Sequence, residues 1–186
     1  SWARLAADTG ALTATLERIG LEVGDRAVAY MPNIPQTVMA MLATTSIGAI
    51  WSSSSPDMGP VSVLDRFRQI EPRVLFAVDG YRYGGKDFDR MDTVRELVRQ
   101  LPTVHTVILI PYLNPDARLD SLDAGLDADG NARSVRVVRW SEALSQPAAP
   151  RFASLPFDHP LWIVYSSGTT GMPKPIVHGH GGTTLE

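Results

Sequence analysis

The sequence predicts an α/β fold in which helices cover both faces of a parallel sheet. Short apolar runs alternate along the chain with amphipathic stretches of ten or more residues. Strands that are separated by helices of this length pair in parallel. Hydrophobic residues make up 44% of the 186 residues, which is enough apolar material for a sizeable core. This length predicts one domain, or one domain and part of another.

The predicted elements follow one another in a regular order. Residues 2–19 form the first amphipathic helix, which Gly10 weakens and Gly20 ends. Proline or glycine bounds three further helices, at residues 35–47, 61–70 and 89–101. Polar residues predict loops at 79–87 and 111–134. Apolar runs predict strands at residues 26–31, 49–52, 73–78, 105–110, 135–140 and 161–165.

Composition excludes several classes of function. The net charge is −3, and acidic and basic residues are interspersed along the chain with no run of basic residues. Electrostatic binding of nucleic acid is therefore not expected. The absence of cysteine excludes disulfides, thiolate zinc sites and a cysteine nucleophile. No apolar stretch approaches the ~18 residues of a membrane span, and we expect a cytoplasmic protein without a membrane partner. Only two of the 17 basic residues are lysine, namely Lys86 and Lys174.

The most informative segment follows the last predicted strand, where residues 165–174 read Tyr-Ser-Ser-Gly-Thr-Thr-Gly-Met-Pro-Lys. Glycines let backbone N–H groups turn toward an anion, hydroxyls add donors, and Lys174 adds a positive charge. These groups suit a polyphosphate. The spacing differs from that of a Walker loop and of a dinucleotide fingerprint. On composition alone, an ordinary Ser/Gly loop after an edge strand is the alternative.

The string Ser-Gly-Thr-Thr-Gly-x-Pro-Lys at residues 167–174 resembles the phosphate-binding loop of the adenylate-forming superfamily, which contains acyl-CoA synthetases, peptide-synthetase adenylation domains and luciferases. The resemblance implies ATP, magnesium and coenzyme A as reaction partners. Pro175 departs from the family pattern, in which a small residue follows the lysine, and we expect it to stiffen the end of the loop. By the same resemblance, the ATP β- and γ-phosphates contact Ser166, Ser167, Gly168, Thr169, Thr170, Gly171 and Lys174.

Upstream segments extend the resemblance over essentially the whole chain. Within the superfamily, the acetoacetyl-CoA synthetases are most similar to the runs at residues 50–57, 64–72, 79–86 and 176–182. This implies an acid–thiol ligase that activates a short carboxylate, acetoacetate, as an acyl-adenylate and transfers it to coenzyme A. Acetate or propionate is the rival substrate. A non-catalytic nucleotide-fold fragment with weak phosphate binding is the alternative function.

Three weaker candidates have structural alternatives. Arg82 and Lys86 flank a Tyr-Gly-Gly turn, and in related acyl-CoA synthetases a basic loop here meets the nucleotide phosphate of coenzyme A; a solvated surface loop is the alternative. His178 and His180 lack a third nearby ligand, so we expect them to be structural and predict no metal site. The four serines at residues 52–55 are expected to act as hydrogen-bond donors in a turn before Pro56.

The resemblance also implies parts that lie outside the sequence. The magnesium-binding glutamate, the ribose-binding aspartate and the C-terminal domain follow the phosphate loop in family order, so we expect the catalytic residues beyond Glu186. Residues 1–186 are therefore expected to be a partial N-terminal, AMP-binding domain that is inactive alone, with its phosphate-binding segment at 161–186. Incomplete strand pairing predicts poor solubility or self-association through exposed edges.

Overall fold

A computed structural model describes residues 1–119, 124–125, 132–167 and 171–186. The described residues form a seven-stranded sheet, a separate two-stranded hairpin, and helices. The strands are β1 Arg26–Tyr30, β2 Ile50–Ser54, β3 Val74–Val78, β4 Gly80–Tyr83, β5 Lys86–Asp89, β6 Thr106–Ile110, β7 Arg136–Arg139, β8 Pro160–Ser166 and β9 Lys174–Gly179. The α-helices are α1 Trp2–Arg18, α2 Pro35–Ser46, α3 Pro60–Phe67, α4 Met91–Gln100, α5 Trp140–Ala143 and α6 His180–Leu185.

The strand order in the large sheet is β7-β6-β3-β1-β2-β8-β9. Every neighbouring pair is parallel except β8 and β9, which are antiparallel. In the sheet, β2 lies on one side of β1 and β3 lies on the other side. The direction in which successive strands are added therefore reverses at β1. The predicted fold class is confirmed, whereas the antiparallel β9 was not predicted. No helix in the described ranges is long and apolar enough to cross a membrane.

The central strands are buried on both faces of the sheet. In β1, Ala27 and Ala29 belong to the core beneath α1 and α2, while Val28 and Tyr30 belong to the core beneath α3 and α4. All five residues of β3 and all five of β6 are also buried. Parallel strands covered by helices on both sides read as continuous apolar runs, which is why the sequence predicted these strands well.

Three segments differ from their predicted structures. Residues 79–87 were predicted as a loop, but β4 and β5 form an antiparallel hairpin there. Gly84 and Gly85 make its turn with φ of 57° and 75°, and two consecutive positive φ angles are what a tight hairpin turn requires. Of the serines expected in a turn, Ser52 to Ser54 lie in β2 instead. Trp140 was predicted to end a strand, but it begins α5.

Gly10 lies where α1 packs against residues 148–150. A Cβ atom at this position would lie 2.8 Å from backbone atoms of Ala149 and Pro150, closer than real Cβ contacts allow. The glycine that weakens α1 by its intrinsic propensity is therefore required by the close approach of this segment.

Replacing Gly10 with alanine should destabilise the fold, since the segment at 148–150 must move to admit the methyl group. We expect the free energy of unfolding to fall by about 1–3 kcal/mol, measured by urea unfolding followed by circular dichroism. Gly182→Ala is the matched control, because no atom beyond its own stretch of helix lies within 4 Å of its added Cβ atom. Equal unfolding midpoints for Gly10→Ala and the unmodified chain would contradict the packing argument.

Candidate functional site

The candidate phosphate loop is the turn that joins β8 to β9. Ser166 pairs with Lys174, so residues 167–173 span the carboxyl end of β8. Gly171 has a φ of 94°, a left-handed conformation that glycine adopts without steric cost. Of the predicted phosphate contacts, Gly168, Thr169 and Thr170 lie outside the described residues. The others are exposed, namely Ser166, Ser167, Gly171 and Lys174.

Two hydrogen bonds attach this turn and the strand before it to the helical segment at the end of α3, where the 3-10 helix Arg68–Ile70 continues directly from α3. The Gln69 side-chain amide donates to the Pro173 carbonyl at 2.9 Å, and the Tyr165 hydroxyl donates to the Arg66 carbonyl at 2.8 Å. The Arg66 guanidinium also lies 5.8 Å from the centre of the Tyr165 ring, within cation–π range. The two ends of the turn are thus held by neighbouring residues of one helical segment. Sequence reasoning missed Gln69, for which no local pattern gives a signal.

Burial raises the pKa of Tyr165 to about 12. Its phenol therefore stays protonated at neutral pH and acts as a hydrogen-bond donor. The residue holds the turn in place and is unsuited to proton transfer near neutral pH.

An open cleft of about 400 Å³ lies between β2 and β8 beside the turn. The two strands pair through Trp51 and Trp162, and the Ser52 hydroxyl donates to the Ile163 carbonyl at 2.8 Å. Ser54 also lines the cleft; it is only 5% exposed, and its hydroxyl has no hydrogen-bond partner among the described residues. Ligands of α/β proteins bind outside the carboxyl ends of parallel strands, and this cleft occupies such a position.

Pro175 occupies a strand position in β9, opposite Tyr165. In the described part of the chain, β9 forms one edge of the sheet. An edge strand tolerates proline because one row of its backbone groups needs no partner strand. The departure from the family pattern is therefore compatible with the local structure.

The structure brings Arg82 and Lys86 into one hairpin but places them on opposite faces. Arg82 is directly opposite Asp87, and Tyr83 is directly opposite Lys86, so the alternation of side chains separates the two cations. The Arg82 Nε and Nη2 atoms donate to the two Asp87 carboxylate oxygens at 2.6 and 3.0 Å. This pairing lowers the pKa of Asp87 and raises that of Arg82. The exposed Lys86 ammonium has no such partner among the described residues.

The two histidines do not share one strand face. His178 is exposed in β9, whereas His180 begins α6, and burial lowers the pKa of His180. The His180 ring centre lies 5.8 Å from that of His159, whose Nε2 atom is 2.8 Å from the Gly48 carbonyl oxygen. Over the described ranges, no three His, Asp or Glu side chains gather closely enough to hold a metal ion.

The fold defines a class, namely α/β proteins in which helices cover both faces of a mostly parallel sheet and a cleft opens at the carboxyl ends of its strands. The AMP-binding enzyme family matches residues 1–185, and the chain belongs to that family. The predicted resemblance to the adenylate-forming superfamily is thereby confirmed.

Individual relatives are similar over the whole chain. An acetoacetyl-CoA synthetase of Xenopus tropicalis is 40% identical, and an acetoacetyl-coenzyme A synthetase of Rhizobium meliloti is 43% identical; each match covers all of this chain and 27% of the relative. The solved structure of an acetoacetyl-CoA synthetase from Streptomyces lividans is 49% identical, with a TM-score of 0.87 over all of this chain and 26% of that one. The chain spans about a quarter of the length of these relatives. The predicted similarity to acetoacetyl-CoA synthetases is confirmed.

Tyr165 should make stability fall at high pH. Its pKa is about 12 in the folded chain and about 10 when unfolded, so above pH 10 the unfolded chain loses a proton that the folded chain keeps. This contribution to stability is complete below about pH 10 and is lost as the pH rises toward 12. Tyr165→Phe should be less stable near pH 8, because it lacks the bond to Arg66, but should lose less stability on alkalinisation.

Urea unfolding midpoints at about pH 8 and pH 11.5 measure this difference. Tyr83→Phe is the control, since Tyr83 is 76% exposed and lies on the β4–β5 hairpin rather than at the turn between β8 and β9. If Tyr165→Phe and the unmodified chain lose stability equally on alkalinisation, the assignment is wrong.

Proposed function

We propose that this chain supplies the ATP-phosphate-binding part of an AMP-forming acid–thiol ligase that activates acetoacetate and transfers it to coenzyme A. The observation that carries the proposal is the hydroxyl- and glycine-rich segment between β8 and β9, in a chain similar to acetoacetyl-CoA synthetases over its whole length. Of this segment, Ser166, Ser167, Gly171 and Lys174 are described and exposed. The proposal includes a cytoplasmic location, where ATP and coenzyme A are available. It also treats residues 1–186 as a partial N-terminal domain with its phosphate-binding segment at 161–186.

The proposed reaction has two steps, and each demands charge stabilisation more than covalent catalysis. A carboxylate oxygen attacks the α-phosphorus of ATP, the bond to the bridging oxygen breaks, and pyrophosphate leaves. The coenzyme A thiolate then attacks the acyl carbon and releases AMP. Negative charge accumulates on the leaving pyrophosphate, where fixed donors and a cation lower the barrier.

The proposed phosphate contacts are suited to that charge. Lys174 begins β9, and its pairing with Ser166 fixes where its side chain leaves the sheet. The exposed hydroxyls of Ser166 and Ser167 add donors at the same end of β8. Gly168, Thr169, Thr170 and Gly171 complete the proposed contact set, in which glycine allows backbone N–H groups to turn toward the phosphates.

Magnesium is part of the proposal, but no residue of this chain is assigned to it. Magnesium requires near-octahedral oxygen ligands, commonly carboxylates and phosphates. The described residues provide no cluster of carboxylates at the turn. The metal-binding glutamate is expected outside this chain, so the steps above are attributed to Lys174 and the turn alone.

A chimera tests the proposed activity. Residues 1–186 would replace the matched quarter of the Streptomyces lividans enzyme, with which the chain is 49% identical. We expect AMP formation that requires ATP, coenzyme A and acetoacetate together, and no turnover by the 186-residue chain alone. Preference for acetate or propionate would redirect the substrate assignment, and a folded chimera without AMP formation would overturn the proposal.

Lys174→Ala in the chimera should slow ATP–pyrophosphate exchange about 10²–10³-fold, as expected when a preorganised group that stabilises developing charge is lost. Lys86→Ala is the matched control, because it removes the only other lysine from an exposed hairpin. It should leave exchange unchanged. Unchanged exchange in Lys174→Ala would exclude Lys174 as a phosphate contact.

For the hairpin, we propose that Arg82 and Lys86 contact the nucleotide phosphate of coenzyme A. Because their long side chains leave opposite faces close to the Gly84-Gly85 turn, the proposal places the phosphate at the tip of the hairpin, where both can reach it. Replacing both with alanine should raise the KM for coenzyme A about tenfold or more without slowing adenylation, the loss expected for hydrogen bonds to charged groups. Asp87→Asn should lower this KM, because it frees Arg82 from its carboxylate partner. If neither the double alanine variant nor Asp87→Asn changes the KM for coenzyme A, the hairpin is a solvated surface loop and the proposed contact is wrong.

We also propose that the isolated chain self-associates. In the described part of the chain β9 lies at the sheet edge, and Ile176 and Val177 on it are 43% and 55% exposed. An exposed apolar edge strand is a template for pairing with another chain. Sedimentation over a range of concentrations measures this, and a monomer throughout would contradict it.

A further inference from the structure

The β4–β5 hairpin is not hydrogen-bonded into the seven-stranded sheet. Its orientation must therefore be set by the chain at its ends and by side-chain contacts. It follows β3 directly and leads into α4 through Arg90. The Arg90 backbone N–H donates to the Asp79 carbonyl at 2.8 Å, and its carbonyl accepts from Val94 at 2.8 Å. These bonds place Arg90 between the end of β3 and the first turn of α4.

The Arg90 side chain covers one face of this hairpin. Tyr81 and Phe88 form a cross-strand pair whose rings stack with centroids 5.0 Å apart. The Arg90 guanidinium lies 5.0 Å from the centre of the Tyr81 ring and 5.9 Å from that of Phe88. Its Nη2 atom donates to the Tyr81 hydroxyl at 3.3 Å, and its Nη1 atom donates to the Asp89 carbonyl at 2.9 Å.

The same guanidinium reaches the rim of the cleft. Its Nε atom donates to the Pro56 carbonyl at 2.7 Å. Pro56 lies between two cleft-lining residues, Ser55 and Met58. The hydroxyl of the buried Tyr30 lies 2.8 Å from the same Pro56 carbonyl oxygen and 3.0 Å from that of Met58. One planar guanidinium thus joins the hairpin to the rim of the cleft, and the Tyr30 hydroxyl at the end of β1 binds the same Pro56 carbonyl.

We propose that Arg90 is a positioning residue that fixes the β4–β5 hairpin, and with it Arg82 and Lys86, at a set orientation to the cleft. This inference rests on the proposed binding of coenzyme A by the hairpin. Arg90 itself contacts no substrate in this proposal. It acts through the hairpin, because a guanidinium donates in several directions of one plane and an ammonium does not hold that geometry.

Arg90→Met tests this role in the chimera. The methionine side chain keeps apolar cover over Tyr81 and Phe88 but cannot donate to Pro56, so the hairpin loses its link to the cleft. We expect the KM for coenzyme A to rise about tenfold, the loss expected for hydrogen bonds from a charged group, with pyrophosphate exchange unchanged. Arg95→Met is the control, since Arg95 lies on the adjacent helix and pairs with Asp92 on the surface.

A double-mutant cycle separates this inference from the proposed function. If Arg90 acts through the two cations, Arg90→Met should add little to the KM when Arg82 and Lys86 are already alanine. If replacing Arg82 and Lys86 raises the KM for coenzyme A but Arg90→Met leaves it unchanged, the positioning role is wrong. If neither Arg90→Met nor removal of the cations changes the KM, the proposed coenzyme A site fails as well.

Hydrogen exchange on the 186-residue chain gives a readout independent of activity. Arg90→Met should speed amide exchange at residues 80–89 and leave β3 and β6 unchanged. If this variant does not fold, Arg90→Lys carries the same measurement, because it keeps a positive charge but not the planar donor set. Unaltered exchange in the hairpin of a folded variant would overturn the proposal.

Discussion

Because β1, β3 and β6 are buried on both faces, their backbone N–H and C=O groups can be satisfied only by neighbouring strands. The five-residue register between β3 and β6 meets that requirement along one edge of each strand, and the pairing with β1 and with β7 meets it along the other edges. The two faces are then covered by different helices, with α1 and α2 on one side and α3 and α4 on the other. Polar groups that a ligand could reach are therefore expected at the ends of the strands and not in the middle of the sheet.

The candidate site lies where this regular pairing ends. β2 meets β8 through Trp51 and Trp162, and the Ser52 hydroxyl rather than a further backbone pair reaches Ile163. The cleft lies between these strands, and the turn after β8 is held beside it by bonds from Gln69 and Tyr165. The helical segment at the end of α3 therefore packs the core with Phe67 and anchors the turn with Gln69. A change in the packing of α3 would therefore displace both the core side chain Phe67 and the turn that Gln69 anchors.

The sequence predicts the parts of this arrangement that are local and apolar. Strands such as β3 are continuous runs of buried residues, and the segment at residues 167–174 carries its residue pattern within eight positions. The hairpin formed by β4 and β5 was missed because its residues are mostly polar and exposed, although Gly84-Gly85 is a local turn signal. Contacts such as Gln69 to Pro173 and Arg90 to Pro56 join residues 104 and 34 positions apart, and no local pattern encodes them.

The unequal use of arginine and lysine follows from the same constraint. Helix and strand ends leave carbonyls without backbone partners, and a guanidinium can satisfy several at once. Arg133 donates to the carbonyls of Val98, Leu101, Val104 and Ala124 around the end of α4, and burial lowers its pKa. Arg26 does the same at Gly24 and Glu71. The two lysine ammonium groups make no such bonds among the described residues and are exposed, which leaves them available for an anionic ligand. Arg26 and Arg133 thus stabilise the ends of strands and helices, whereas the two lysines carry exposed charges without a partner among the described residues.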